Sequence, residues 1–301
     1  MINVCLATDN NYAPYAGVVI ASALKNSNPE DKLSFYILDG GIEEENKNKI
    51  RNLTSIKDCR INFVSIDETL FEDYKKLTTH SYITLATYYR LKIGQLLNED
   101  VKRIIYLDCD VIVNSSLSEL FNTDLEDNYM GGVIDIRVKY KPKWKDKIYV
   151  NAGMLLIDID KIRKDNIEEK FLEYTKNNFD NIKAGDQDII NFTLEGKIKI
   201  LDDLWNVQVS SFLSRSSFTK HPKIIHYVAK RKPWKFGSYS VFKDKYFQSL
   251  SLTPWAIPDN EKFKWTFINK ICSVYNFFID KPTFMFRPKF WEAVIASIVE
   301  K

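Results

Sequence analysis

Short β-branched and apolar runs alternate with segments of helical periodicity through the first half of the chain, and no other feature restricts the fold as strongly. Strands separated by a helix's length of chain tend to pair in parallel, so the alternation predicts an α/β fold: a mostly parallel central sheet flanked by helices. Asn3–Ala7, Ser34–Leu38 and Asn62–Val64 read as strands, with helices near Tyr15–Lys25 and Glu43–Asn52 between them. A helix over roughly Ile83–Leu97 puts Leu85, Tyr88, Leu91 and Leu96 on one stripe and leads into a strand at Arg103–Leu107. Further on, Met130–Ile134, Met154–Ile157 and Ile224–Tyr227 are strand-like, and Glu168–Asn178 and Asp188–Leu194 are helical. With no repeat and no low-complexity linker, the pattern divides into one large domain over residues 1–250 and an appended helical segment over 251–301.

At 301 residues and 45% apolar content the chain can bury a sizeable core, and disorder is excluded. A net charge of +3 is far from the basic surface that duplex nucleic acid requires, so no nucleic-acid partner is expected. The first apolar stretch, Ile2–Thr8, has no cationic segment before it and is too short for a signal sequence, so it reads as a strand. No apolar run approaches the ~18 residues needed to span a bilayer, which predicts a cytoplasmic chain. Cys5, Cys59, Cys109 and Cys272 form no C-x-x-C pair and fit free thiols in a reducing compartment.

In open α/β sheets, ligands collect beyond the carboxyl ends of the strands, so polar residues directly after an apolar run are candidates for function. Ile104-Ile105-Tyr106-Leu107 runs straight into Asp108-Cys109-Asp110. Along extended chain Asp108 and Asp110 would point one way and Cys109 the other, and two carboxylates on one face can share a hard divalent cation. The pattern alone is weak: with 24 Asp in 301 residues chance gives about two Asp-x-Asp, and there are three. Asp158/Asp160 precedes Lys161 and Arg163, where helix capping accounts for it, and Asp186/Asp188 opens a helical run. His226, one of three His, ends another apolar run. An Asp/Asp/His set with open positions suits Mn2+, with Mg2+ as the alternative.

The ordered motifs Ala7-Thr8-Asp9-Asn10-Asn11-Tyr12, Thr87-Tyr88-Tyr89-Arg90, Tyr106-Leu107-Asp108-Cys109-Asp110, Asn151-Ala152-Gly153, Asp186-Gln187-Asp188 and His226-Tyr227 followed by Lys232-Pro233-Trp234 span about residues 2–235. Together they resemble the bacterial lipooligosaccharide α-galactosyltransferase group of family 8 glycosyltransferases, of which glycogenin is a distant relative. The resemblance implies a GT-A fold, a UDP-sugar donor, Mn2+ and retention of anomeric configuration, with galactose or glucose transferred to a cell-surface glycan such as the lipopolysaccharide core. It implies that Ala7, Thr8, Asp9, Asn11, Tyr12 and Cys109 bind the donor, Asp9 meeting the uracil and Asn11 the ribose. Asp108, Asp110 and His226 fall on the metal positions. Arg90, Asn151, Asp186 and Gln187 fall on those of the donor sugar, Lys232 on the diphosphate, and Ala152 among the donor-binding positions.

Glycosyl transfer develops positive charge on the sugar and negative charge on the departing diphosphate, so the site needs cations at the diphosphate more than a general acid. A carboxylate nucleophile could give retention, but the matching position holds Gln187, whose amide is a poor nucleophile. That favours departure and attack on one face, with Gln187 steadying the developing cation and Asp186 holding sugar hydroxyls. A dehalogenase-like phosphatase also begins from strand–Asp-x-Asp, yet Ile112, Ile189 and Ile190 occupy positions its motifs reserve for other residues. A non-catalytic glycan-binding module would have little use for a metal triad.

Residues 261–301 hold ten aromatics, Trp265, Phe277, Phe278, Phe284, Phe286 and Trp291 among them, interleaved with seven Lys or Arg. Rings and basic groups together suit a headgroup boundary, at ~1 kcal/mol per basic residue. The segment is therefore expected to attach peripherally to an anionic membrane on the cytoplasmic side, packing on the large domain or on a second subunit being the alternative.

Overall fold

The computed structural model describes residues 1–77, 84–142, 147–209, 221–228 and 232–280. Among the described residues ten strands form two sheets: β1 (Ile2–Thr8), β2 (Leu33–Asp39), β3 (Cys59–Ser65), β4 (Arg103–Leu107), β5 (Val111–Val113), β6 (Met130–Ile134), β7 (Val150–Asp158), β8 (Ile198–Ile200), β9 (Val207–Gln208) and β10 (Ile224–His226). Val4, Cys5 and Leu6 in β1 and Ile104 and Ile105 in β4 have no exposed surface. Such continuous apolar runs belong in the middle of a sheet covered on both faces. The larger sheet has the order β3-β2-β1-β4-β7-β6-β8. All neighbours pair in parallel except at β7, which is antiparallel to both β4 and β6.

That reversed strand matters for the site. Because β7 runs against β4, its beginning lies beside the carboxyl end of β4, with Leu107 opposite Met154 and the Asp108 amide donating to the Gly153 carbonyl at 2.8 Å. The smaller sheet, β5-β10-β9, sets His226 opposite Val111 in antiparallel register, one residue past Asp110.

The helices largely follow the expected pattern, at Ala13–Lys25, Glu44–Arg51, Ile167–Asn178 and Asp186–Thr193. The segment expected as a helix over Ile83–Leu97 differs. From Leu85 to Lys92 it winds as a 3-10 helix, followed by one α-helical turn at Ile93–Leu96, and Ile83 lies outside the described residues. Leu85, Tyr88 and Leu91 are spaced by three, and three residues per turn align them on one line toward the core.

The chain divides into two compact units. Among the described residues, the first takes the chain up to Gln208 and the segment ending at His226, and the second contains those between Tyr227 and Asp280. Position 250, the expected end of the large domain, lies within the second unit at the end of helix Lys243–Leu250. In that unit Trp234 packs on Tyr246 with ring centres 5.4 Å apart. Helix Asp259–Asp280 grips the Gly237 backbone, Asn269 accepting from its amide at 2.7 Å and Asn276 donating to its carbonyl at 3.1 Å. Gly237 has φ 68°, and a Cβ there would come within 2.2 Å of the Asn276 amide, so the turn requires glycine. No described helix is long and apolar enough to cross a membrane. Trp265 and Phe278 lie on helix Asp259–Asp280, but their side chains, like Phe284, Phe286 and Trp291 altogether, are outside the described residues.

Candidate active site

Asp108 and Asp110 sit in the turn between β4 and β5, not along a strand as the alternation argument assumed, and the turn itself swings both toward β10. One ligand atom each from Asp108, Asp110 and His226 lies within 4.8 Å of the others, the one such group among the described residues. His226 Nε2 is 3.1 Å from Asp110 Oδ1 and 3.9 Å from Asp108 Oδ2. Cys109 turns away as expected, its thiol bonded to the Ala7 carbonyl at 3.3 Å, and burial pushes that thiol well above its ordinary range.

Gly153 shows how little room is left around the triad. A Cβ there would stand 2.3 Å from His226 Cε1, 2.5 Å from Asp108 Oδ2 and 2.9 Å from His226 Nε2. Only a residue without a side chain lets β7 pass under both ligands. Two carboxylates and an imidazole nitrogen form the mixed O/N set that a hard or borderline divalent cation takes, so the residues present fit a metal.

Arg90 is 5% exposed and sits behind the triad. It donates from Nη2 to Asp108 Oδ1 at 2.6 Å and from Nη1 to the Ala152 carbonyl at 2.5 Å, and its Nε lies 3.1 Å from Asp186 Oδ2. Its guanidinium also lies over the Tyr106 ring, 4.2 Å from the centroid. Burial works against its charge, but Asp108 and Asp186 more than compensate and hold it firmly protonated. For Asp186 the balance differs: burial pushes its carboxyl up to about 6, against the pull of Arg90.

Gln187 lies next to this pair, 6% exposed. Its Oε1 accepts from the Ala152 amide and from Asn151 Nδ2, both at 3.2 Å, and its Nε2 donates to Asp135 Oδ2 at 2.9 Å. Asp135, a single residue after β6, escaped the sequence reading because no motif marks it. Burial raises its carboxyl, but the Arg137 guanidinium at 2.6 Å, helped by Gln187, brings it below the usual carboxylate range. Asn206 was missed for the same reason; it bonds to His226 and to Asn151. Asp188 is turned away from this network. Its carboxylate accepts from the Lys183 and Ala184 amides, both at 2.7 Å, and from Tyr149, which ties down the loop entering helix Asp186–Thr193.

The first motif borders the triad because β1 and β4 are neighbours, Cys5 opposite Tyr106. Thr8 is buried, Asp9 accepts from the Tyr12 amide at 2.9 Å, and Asn11 and Tyr12 are exposed at the start of helix Ala13–Lys25. Lys232 belongs to the second unit, where its ammonium donates to the Tyr227 carbonyl at 2.5 Å.

The profile of Glycosyl transferase family 8 matches residues 3–237. The chain belongs to this family. Among relatives, General stress protein A of Bacillus subtilis (strain 168) is 30% identical over 274 residues, covering 85% of this chain and 95% of that protein. The lipopolysaccharide 1,3-galactosyltransferase of Salmonella typhimurium is 28% identical over 275 residues, covering 84% and 79%. The crystal structure of galactosyltransferase LgtC with donor and acceptor sugar analogs superposes with a TM-score of 0.75 at 26% identity, covering 87% of this chain and 100% of that one. With the sheet order above, that match gives this family 8 glycosyltransferase the GT-A fold.

Proposed function

We propose that the chain is a retaining hexosyltransferase that moves galactose or glucose from a UDP-sugar to a glycan acceptor such as the lipopolysaccharide core, with Mn2+ held by Asp108, Asp110 and His226. The convergence of these three ligands over a glycine that leaves them space carries the reading. A bound divalent ion would supply Lewis-acid stabilisation of the departing diphosphate. Asp9 and Asn11, with Ala7, Thr8, Tyr12 and Cys109 around them, are assigned to the nucleoside, and Lys232 to the diphosphate. Arg90, Asn151, Ala152, Asp186 and Gln187 are assigned to the hexose.

The chain's own groups suit same-face substitution. The sugar–phosphate C–O bond breaks, the acceptor oxygen bonds to the anomeric carbon on the same face, and the acceptor proton passes to the departing phosphate oxygen. Gln187 is a neutral amide held at both ends, so it can face the developing positive charge without being consumed. Arg90 bonds to both Asp108 and Asp186, which fixes the two carboxylates in place side by side. A panel of UDP-hexoses assayed for Mn2+-dependent UDP release tests the reading without an acceptor: release from UDP-galactose or UDP-glucose is expected, and silence with every donor would refute it.

The second unit supports a further part of this reading, peripheral attachment to anionic lipid. On helix Asp259–Asp280, Ile268, Ile271, Tyr275 and Ile279 are exposed, and their spacing places them along one stripe. The sequence that follows brings Lys281, Arg287 and Lys289 among further aromatics. Full-length protein should co-sediment with anionic vesicles and release at high salt, and equal binding after truncation at residue 258 would refute it.

A further inference from the structure

A continuous chain of side-chain amides runs from the histidine of the triad to the sugar side of the site, and the orientation of each amide follows from groups whose polarity is not in question. The Gly153 backbone N–H donates to Asn151 at 3.1 Å, so the atom it meets must be the oxygen, Oδ1. Asn206 meets that same oxygen at 3.0 Å, so it presents its Nδ2 there. Its own Oδ1 must then face His226 Nδ1, 3.0 Å away. A carbonyl oxygen facing Nδ1 requires a proton on Nδ1, so Nε2, which faces Asp108 and Asp110, is the ring nitrogen left for a metal to take. The far end closes independently: the Ala152 N–H fixes Gln187 Oε1, and the Asp135 carboxylate fixes Gln187 Nε2. Asn206, Asn151 and Gln187 are 2%, 7% and 6% exposed, so water has little access to compete for these bonds.

We propose that Asn206 is a positioning residue: it fixes the tautomer and ring orientation of His226 so that Nε2 is available to the metal, and through Asn151 it ties that ligand to Gln187. The proposal rests on the metal reading above. An outer partner of a ligating imidazole typically contributes 10- to 100-fold in metal affinity, ~10- to 100-fold being expected here.

Two variants separate the two bonds. Asn206→Ala removes both. Asn206→Asp keeps an acceptor for Nδ1–H but sets a carboxylate oxygen against Asn151 Oδ1, breaking the link to the sugar side. Calorimetric titration with Mn2+ alone should show Asn206→Ala weakened ~10- to 100-fold and Asn206→Asp within about threefold of wild type. In Mg2+-loaded protein, a downfield, slowly exchanging imidazole Nδ1–H resonance should be present in wild type and Asn206→Asp and lost in Asn206→Ala. Steady-state kinetics should show Asn206→Asp with reduced kcat despite its metal affinity, because Asn151 and Gln187 lose their anchor. If wild type binds Mn2+ and Asn206→Ala binds it equally tightly with the Nδ1–H resonance intact, the proposal is overturned. If both variants lose metal equally, Asn206 serves only to pack the site and the proposal fails as well. If wild type itself binds no Mn2+, the metal reading falls and takes this one with it.

Discussion

Replacing Gly153 with Ala is the sharpest test of the metal centre, because it adds one methyl group at a known place and changes no charge. Gly153 lies within β7 with φ outside the left-handed region, so the substitution carries no backbone strain and its cost is steric. The new Cβ would stand 2.3 Å from His226 Cε1, whereas carbon atoms settle at about 3.5 Å, so the imidazole, or β7 itself, must move by about 1 Å. The Asp108 carboxylate, 2.5 Å from the same position, must move too, and Arg90 restrains it. Overpacking of this kind costs ~1–3 kcal/mol of stability, which a domain with this much buried core should survive. Displacing reacting groups by about 1 Å costs ~100-fold in turnover, and two ligands move together here. The expected result is a protein with a native circular-dichroism spectrum, a melting temperature lowered by a few degrees, Mn2+ affinity reduced ~10-fold or more, and turnover reduced ~100-fold or more. A Gly153→Ala protein with wild-type Mn2+ affinity and UDP release would show that the three side chains do not share an ion.

Asp110→Asn should abolish transfer while leaving the melting temperature within a few degrees of wild type, as expected for a residue that binds metal; near-normal turnover with Mn2+ would sink the assignment. Gln187→Ala should lower kcat by ~10-fold, far less than the ~1000-fold or greater loss for Asp108→Asn, and a covalent glycosyl-enzyme trapped on Gln187, Asp186 or Asp188 by mass spectrometry would overturn the same-face mechanism. Glu168 gives a pH prediction remote from the metal site. Burial raises its carboxyl to about 7, although the Gly94 amide donates to it at 2.5 Å. A carboxyl raised on folding stabilises the fold below its unfolded value near 4.5 and loses that contribution as pH rises through about 7. Stability followed by denaturant titration should therefore fall between pH 5 and pH 8 by an amount on the order of 3 kcal/mol, and Glu168→Gln should flatten the profile; an unchanged slope in the variant would refute the assignment.

The fold was legible wherever local chemistry agreed with position. Apolar runs such as Ile104–Leu107 and Met130–Ile134 need burial on both faces and have one way to obtain it, so their strands fall where the pattern puts them. The winding of Leu85–Lys92 was not legible in the same way, because three-residue spacing over so few turns fits an α-helix or a 3-10 helix until the core selects one. Short strands such as β8 and β9 carry too few residues to show any period. In the site, Asp108, Asp110, His226 and Gln187 were readable through their motifs. Asp135 and Asn206 are bonded into the same network, but each is a lone polar residue that no motif marks, and its importance comes only from what the fold places beside it.

The reversed strand accounts for much of that gap. In a fully parallel sheet every functional residue would follow a strand, and a search of strand ends would recover them all. Here β7 brings Asn151, Ala152 and Gly153 to the carboxyl edge of β4 from the opposite direction, at the start of a strand. Backbone groups thereby enter the site where side chains would crowd it: the Ala152 carbonyl receives Arg90, the Ala152 amide holds Gln187, and Gly153 clears the space beneath His226 and Asp108. Strand reversal thus lets one three-residue segment serve Asp108 and His226, the Arg90 guanidinium and the Gln187 amide at once. Substitutions at Asn151 and at Asp135, both on the sugar side of the network, should accordingly lower turnover and leave Mn2+ affinity near that of the wild type, as calorimetric titration beside steady-state kinetics would show.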